Sequence, residues 1–144
     1  PRCLSLVLTV KHGGQVASQA LHVTAAAPGV FVSNGSPIPN ASAARGQTVS
    51  LYMNGIGALS PAISTGGAPP SVTALTDLPK PLQTTIVSVG GLPARIDFIG
   101  EPWGLAGVTL INYQIPPSAP LGPQQVIVTT GGIASAPASV TVTN

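Results

Sequence analysis

The chain has 144 residues and a net charge of +2, and only 6% of its residues are charged, against about a quarter in an average soluble domain. Gly (17) and Pro (16) are abundant, whereas aromatic residues make up 3%. This composition excludes a helical bundle or coiled coil, which needs many Glu, Lys, Leu and Arg, and a nucleic-acid binder, which needs a basic patch. No apolar run reaches the roughly 20 residues of a transmembrane helix, so we expect no membrane insertion.

The first predicted element is a β-hairpin within residues 1–27. An apolar strand with period two is followed by Gly13-Gly14, a turn signal, and residues 15–24 run back. The apolar face is too hydrophobic to remain in water, so we expect either the chain's own domain or a neighbouring subunit to cover it. Four residues of this face form a candidate assembly strand: Leu4, Leu6, Leu8 and Val10.

Residues 28–144 predict an all-β fold, an immunoglobulin-like antiparallel β-sandwich, because short alternating runs are separated by turn signals at intervals of roughly 8–12 residues. No helix is predicted, residues 33–44 are expected to be a loop, and the long segment 54–81 is expected to hide one short strand. Seven strands are predicted, near residues 47–54, 72–75, 84–90, 94–100, 107–115, 124–130 and 133–143. The predicted inner layer contains Val49, Leu51, Val87, Val89, Ile96, Phe98, Leu110, Val126, Val128 and Val140.

One internal repeat links the two ends of the chain. The segment Gly13–Ser18 followed by Leu21–Thr24 resembles Gly131–Ser135 followed by Ser139–Thr141, with one inserted residue in the second copy. Residues 1–27 therefore look like the last hairpin of the domain, repeated at the front. A final hairpin without the strands before it is what a cut tandem array would give.

Residues 28–144 resemble the immunoglobulin-like C-terminal domain of large secreted acidobacterial proteins, the Solibacter C-terminal domain. The resemblance implies the sandwich fold and an extracellular setting, and it implies neither an activity nor site residues. It rests on seven segments in matching order: Ala27–Phe31, Arg45–Leu51, Gly55–Pro61, Gly90–Ala94, Gly104–Gly107, Ile111–Pro116 and Gly131-Gly132.

Catalytic and metal-binding constellations are weak. Cys3, the single cysteine, excludes an intrachain disulfide, and it would face His22 only if the first hairpin had a four-residue loop. Asp97 and Glu101 flank a strand end and could approach each other as a pair of acids, but a solvated rim is the simpler interpretation. No cluster of Cys, His and acidic residues is available to hold a metal, so we expect no cofactor and no metal.

Aromatic and asparagine side chains give the remaining candidate sites. Trp103 and Tyr113, together with Tyr52, are the rings that a sugar-binding face would use, although Trp103 could equally plug the end of the sandwich. Asn34 and Asn40 begin Asn-x-Ser sequons in an exposed loop and are candidate glycosylation sites.

These features favour a non-catalytic structural module of an extracellular or cell-surface protein, in a fibre, stalk or tandem array. Its expected partners are identical subunits or neighbouring repeats of the same chain, joined by β-strand pairing. A carbohydrate-binding or adhesive module, with glycans as partners, is the alternative, and loss of glycan binding on Trp103→Ala would favour it. An enzyme is the third hypothesis, to be tested by hydrolase screening with Asp97 and Glu101 mutated.

Overall fold

The computed structural model describes residues 4–144, and the side chain of Leu4 lies outside the described part. Strands dominate the chain, and the one helical element is a 3-10 turn at Leu75–Asp77. In the described range no helix is long and apolar enough to cross a bilayer. The strands are β1 Leu4–His12, β2 Gln15–Val23, β3 Gly29–Val30, β4 Val32–Ser33, β5 Ser36–Pro37, β6 Ser42–Ala44, β7 Thr48–Asn54, β8 Leu59–Ser60, β9 Lys80–Pro81, β10 Thr85–Val89, β11 Leu92–Ala94, β12 Ile96–Gly100, β13 Thr109–Gln114, β14 Gly122–Thr130, β15 Ile133–Ala134 and β16 Ala138–Thr143.

Two sheets pack face to face and enclose the core. One sheet has the order β12-β13-β7-β3, and the other has the order β11-β10-β14-β16-β6, with β15 also paired to β14. In chain order these are the ABED and CFG sheets of an immunoglobulin domain, with β11 added beside C and β6 added beside G. All pairs are antiparallel except β16 with β6, which run parallel. The predicted all-β sandwich is confirmed.

The core consists of the inward-facing residues of both sheets. Strand β7 alternates buried Val49, Leu51 and Met53 with more exposed neighbours, and β14 does the same with Val126 and Val128. Alternation with period two is what a sheet with one buried face requires. Seven of the ten predicted inner residues are buried, and an eighth, Ile96, is partly buried and packs against the cluster: Val49, Leu51, Val87, Val89, Val126, Val128 and Val140, with Ile96.

Two predicted core residues lie on the opposite face. Leu110 is on the outer side of β13, because Ile111 and Tyr113 take the inward positions of that strand. Phe98 is turned outward by an irregularity at Asp97, where the pairing of β12 with β13 shifts by one residue. A one-residue shift moves every following side chain to the other face of a strand, so the prediction for Phe98 was wrong.

Two loop predictions also need correction. Residues 33–44 are not irregular throughout, because β4 and β5 form a small hairpin around Asn34-Gly35 and β6 pairs with β16. The predicted strand at 72–75 is absent: Val72 is 90% exposed, and the chain continues into the 3-10 turn. Pro69 and Pro70 precede this segment, and proline cannot donate a ladder hydrogen bond.

The first hairpin, β1 with β2 (Leu4–Val23), forms a sheet of its own. All nine residues of each strand pair, from Leu4 with Val23 to His12 with Gln15, so Gly13-Gly14 makes a two-residue turn as predicted. Within residues 4–144 neither strand extends a sheet of the sandwich. The expectation that the domain's own sheet might cover the hairpin is therefore wrong, whereas a domain boundary at residue 27 stays a prediction.

Candidate functional site

One face of the first hairpin is apolar and open to solvent. Leu6, Leu8 and Val10 of β1 are 54%, 53% and 56% exposed. The register places them beside inward-equivalent residues of β2, which are all exposed and, apart from the glutamine, apolar: Ala17, Gln19, Leu21 and Val23. Leu4 is the first residue of β1, but its side chain lies outside the described residues. The candidate assembly strand is thus an exposed apolar surface in this structure.

The opposite face of the first hairpin is more polar. It carries Ser5, Thr9, Ser18 and His22, and the hydroxyl groups of Thr9 and Ser18 lie 3.0 Å apart across the strands. The two faces therefore differ in character, which is the pattern of a sheet that buries one side and keeps the other in water.

The segment between the first hairpin and the sandwich is held tightly. Ala26 and Pro28 are buried, and the backbone N–H of Ala27 donates a 2.7 Å hydrogen bond to the carbonyl of Gly55. A Cβ atom at Gly55 would overlap the carbonyl oxygen of Ala27, and one at Gly57 would overlap that of Ala25. Both glycines have positive φ angles. Residues 24–28 are thus fixed against the loop after β7, and we call this contact the joint.

The chain enters and leaves the sandwich at opposite ends. The Gln83 side chain lies between Gly57, at the joint, and Gly131, at the turn after β14. At the other end, the N–H of Arg45 donates a 3.0 Å hydrogen bond to the carbonyl of Thr143 in β16. Strands β7 and β16 run between these two ends, so the entering and leaving segments are separated by the length of the domain.

A second candidate site is a groove of about 360 Å³ on the outer face of the β12-β13-β7 sheet. Trp103 forms one wall and is 41% exposed, and its Nε1–H donates a 2.8 Å hydrogen bond to the carbonyl of Thr73. That bond ties the turn after β12 to the long loop between β8 and β9. The groove is lined by three aromatic rings, four other apolar residues and one amide: Tyr52, Phe98, Trp103, Leu75, Leu78, Pro102, Leu110 and Asn112.

Tyr113 cannot contact a ligand, and that prediction was wrong. It is fully buried in the core, on the face of β13 that points away from the groove. Its hydroxyl is buried and has no hydrogen-bond partner, and burial raises the pKa of Tyr113 to about 12. Phe98 occupies the place in the groove that Tyr113 was expected to take, and the irregularity at Asp97 that puts it there has no simple signature in the sequence.

The acidic residues do not form a pair. The hydroxyl of Thr48 donates a 2.7 Å hydrogen bond to Asp97, and Arg95 forms a 2.8 Å ion pair with it. These two contacts, the Thr48 bond first, hold the pKa of Asp97 below its usual value. Glu101 is buried and accepts a 2.6 Å hydrogen bond from the N–H of Gly107, so it anchors the turn between β12 and β13.

The remaining candidates are scattered. His12 and His22 are exposed on the first hairpin, where His22 pairs with Ser5, and Cys3 lies outside the described residues. In the part that the structure describes, no three His, Cys, Asp or Glu residues form a metal-binding group.

The two sequon asparagines differ in their surroundings. Asn34 is exposed at a tight turn, whereas Asn40 is half-buried and its side-chain oxygen accepts a 2.9 Å hydrogen bond from the N–H of Ser50. Glycosylation at either residue stays a prediction.

Comparison with known proteins gives little beyond the geometry. No protein-family model matches the chain, and no curated protein sequence does so either. The resemblance to the Solibacter C-terminal domain therefore stays a prediction. Among solved structures, the chain is similar to domains 4 and 5 of the S-layer protein SbsC, with 12% identity and a TM-score of 0.37 over 99% of this chain and 59% of that chain. Structures at this TM-score need not share a fold, so the immunoglobulin-like assignment rests on the strand order.

Proposed function

We propose that the chain is a non-catalytic structural module of an extracellular or cell-surface protein, joined head to tail to its neighbours by β-strand pairing. The observation that carries this proposal is the first hairpin, whose side chains from Ser5 to Val23 are all exposed although one face is apolar. The neighbours are identical subunits or adjacent repeats of the same chain, and the assembly is a fibre, stalk or tandem array.

Energetics support a cover over this hairpin. An isolated two-stranded hairpin is at best marginally stable in water, and its unpaired edges invite further strands. Burying a Leu or Val side chain contributes about 1.5–3 kcal/mol, and the described part of this face carries Leu6, Leu8, Val10, Leu21 and Val23. Covering even half of this surface would stabilise the hairpin by several kcal/mol, on the order of the stability of a small domain.

The path of the chain supports a linear arrangement. Neighbours attached at the joint and beyond Thr143 would lie at opposite ends of the sandwich. Contacts of this head-to-tail kind use two different surfaces of the module, and where the rotation does not close they extend without limit. The low charge of the surface suits contact between like modules, since few like charges would oppose each other.

A non-catalytic role is supported by the polar side chains. Asp97 and Glu101 are each held by separate partners, and both histidines lie on the exposed hairpin. The scarcity of Lys and Glu and the excess of Ser, Thr, Gly, Ala and Pro are typical of exported proteins, which supports the extracellular setting.

Deletion of residues 1–26 tests the structural role. We expect the truncated chain to stay folded, because the sandwich closes its own core without β1 and β2. It should be monomeric, whereas the full chain should bind an apolar dye and associate at high protein concentration. Circular dichroism, dye fluorescence and sedimentation measure these properties. Unfolding of the truncated chain would contradict the proposal, since the hairpin would then belong to the domain's own core.

A carbohydrate-binding or adhesive role is a second candidate, favoured by the groove that brings together Tyr52, Phe98 and Trp103. Aromatic faces stack on the apolar faces of sugar rings, and Asn112 supplies a polar group beside them. Trp103→Ala should abolish binding to a glycan array, whereas Leu121→Ala, at an exposed leucine outside the groove, should leave it intact. Absence of binding to any glycan in the parent chain would reject this candidate.

A further inference from the structure

We infer that the first hairpin is the last pair of strands of a second immunoglobulin-like module, which precedes it in the same polypeptide. Its exposed apolar face would then be the inner layer of that module's core. The inference rests on the proposed function and deepens it, because it names the partner surface and the place that the hairpin takes within it.

The first hairpin has the geometry of this domain's own final hairpin, β14 to β16 (Gly122–Thr143). Strands β1 and β14 each have nine residues and end directly before a Gly-Gly turn. The φ angles are +54° and +76° at Gly13 and Gly14, and +58° and +82° at Gly131 and Gly132. Two consecutive positive φ angles define the type I′ turn, which matches the twist of the strands on either side.

The outgoing strands place equivalent residues on equivalent faces. Counted back from the glycines, Leu8 corresponds to Val126 and Val10 corresponds to Val128. Val126 and Val128 are fully buried in the sandwich, whereas Leu8 and Val10 are more than half exposed. The apolar side chains thus stand at positions that, in a complete module, belong to the core.

The returning strands agree once one residue is allowed for. Leu21 and Val23 follow their turn by one residue fewer than Val140 and Val142 follow theirs. The extra residue of the final hairpin lies between β15 and β16, where the register shifts by one around Ser135. This is a β-bulge, which inserts one residue into one strand of a pair. The inserted residue in the repeat therefore has a structural place.

Cross-strand pairing confirms the alignment of the two hairpins. Leu21 pairs with Leu6, and its equivalent Val140 pairs with Gln124, which is the equivalent of Leu6. Leu8 pairs with Gln19 in the same way that Val126 pairs with Ala138. The correspondence therefore holds across both strands and not only along one of them.

Magnitudes argue against two first hairpins packed face to face. Nine residues span about 30 Å, and two strands cover a width of about 10 Å, so each copy would bury roughly 300 Å². The total of about 600 Å² is below the roughly 1,000 Å² of a specific interface.

Another copy of this sandwich cannot accept the first hairpin as its last two strands either. The place between β10 and β6 is already taken by that copy's own β14 and β16. A module that ends in the first hairpin offers both an unfilled core and unpaired strand edges. This is the occupant to which the inference commits.

A splice of this chain onto itself tests the inference. Residues 28–121 contain every strand of the sandwich before the final hairpin, and joining residue 121 to Leu4 keeps the nine-residue spacing to Gly13. The control splice carries residues 122–143 in place of residues 4–23. Amide hydrogen exchange of residues 4–23, followed by mass spectrometry, is measured in both the splice and the 144-residue chain.

We expect exchange of the first hairpin to be fast in the 144-residue chain at every protein concentration, and roughly a hundredfold or more slower in the splice. In the splice, Leu8→Asp with Leu21→Asp should remove this protection, whereas Val7→Asp with Ala20→Asp, on the other face, should retain it. Peptides from β7 and β13 of the second sandwich report whether that part of the splice is folded.

Three other results would overturn the inference. A hairpin that stays unprotected in the splice, beside a folded second sandwich, has no place in such a module. Protection that appears in the 144-residue chain only as protein concentration rises means that copies cover the hairpin, which leaves the proposed function standing. Protection at all concentrations means that the hairpin packs on its own domain, which would overturn the proposed function as well.

Discussion

The first hairpin and the final hairpin share a turn, a strand length and an alternation of apolar residues, yet one is fully exposed and the other lies in the core. The final hairpin has β10 along one edge and β6 along the other, and the opposite sheet covers its inner face. The first hairpin has none of these neighbours within residues 4–144. Local sequence thus determines which face of a hairpin is to be buried, and only the neighbouring strands determine whether it is.

The largest difference between the two hairpins is expected from a charge placed at equivalent positions. Val140→Asp would bury a carboxylate without a partner, at a cost of several kcal/mol, so the sandwich should be largely unfolded at room temperature. Leu21→Asp in the 144-residue chain should change the free energy of unfolding by less than about 0.5 kcal/mol. Urea unfolding followed by circular dichroism measures both, and equal losses would show that the first hairpin already belongs to a folded core.

The joint between the two regions gives the next largest effect. Ala at Gly55 must adopt a positive φ, which costs about 1–2 kcal/mol, and its Cβ would also displace the backbone at Ala27. Gly46→Ala is the matched control, since Gly46 has a similar φ and open space around its Cα. Thermal unfolding should show a loss for Gly55→Ala at least twice that for Gly46→Ala. Equal losses would mean that residues 24–28 move aside freely.

A smaller effect, at alkaline pH, concerns Tyr113 in the core that the first hairpin lacks. Its pKa is raised from 10.0 to about 12, so between these values the unfolded chain loses the phenolic proton while the folded chain keeps it. The parent chain should therefore lose about 2–3 kcal/mol of stability as the pH rises from 10 to 12, from this group alone. Tyr113→Phe should lack that loss.

At pH 7, Tyr113→Phe should be as stable as the parent or more stable, because it removes a buried hydroxyl without a partner. Tyr52 is retained in both proteins and serves as the internal reference for tyrosine titration. Parallel losses of stability in both proteins between pH 10 and 12 would contradict the prediction.

Long alternating strands and their turns could be predicted from the sequence. The faces of β7, β10 and β14 followed from the alternation of Val and Leu, because a strand with one buried face has a period of two. The Gly13-Gly14 and Gly131-Gly132 turns followed from glycine's access to positive φ. The apolar face of the first hairpin was accessible for the same reason, since all of these signals are local.

Features that depend on contacts distant in sequence could not be predicted. The outward turn of Phe98 depends on a register shift against β13, and β6 exists only because β16 offers it a parallel partner. Trp103 was correctly placed in a partly exposed turn, but its hydrogen bond to Thr73 spans thirty residues of chain. The groove that these contacts create therefore has no pattern in the sequence that would reveal it.

The parallel pairing of β6 with β16 has a mechanical consequence. Tension applied between the joint and the segment beyond Thr143 would pull these two strands in opposite directions along their own axes. The ladder from Ser42 with Thr141 to Ala44 with Thr143, and the bond from Arg45 to Thr143, would then be loaded in shear. Bonds loaded in this way share the force and must break together, whereas bonds at the end of an unzipping hairpin break one at a time. The domain is built to resist being stretched end to end.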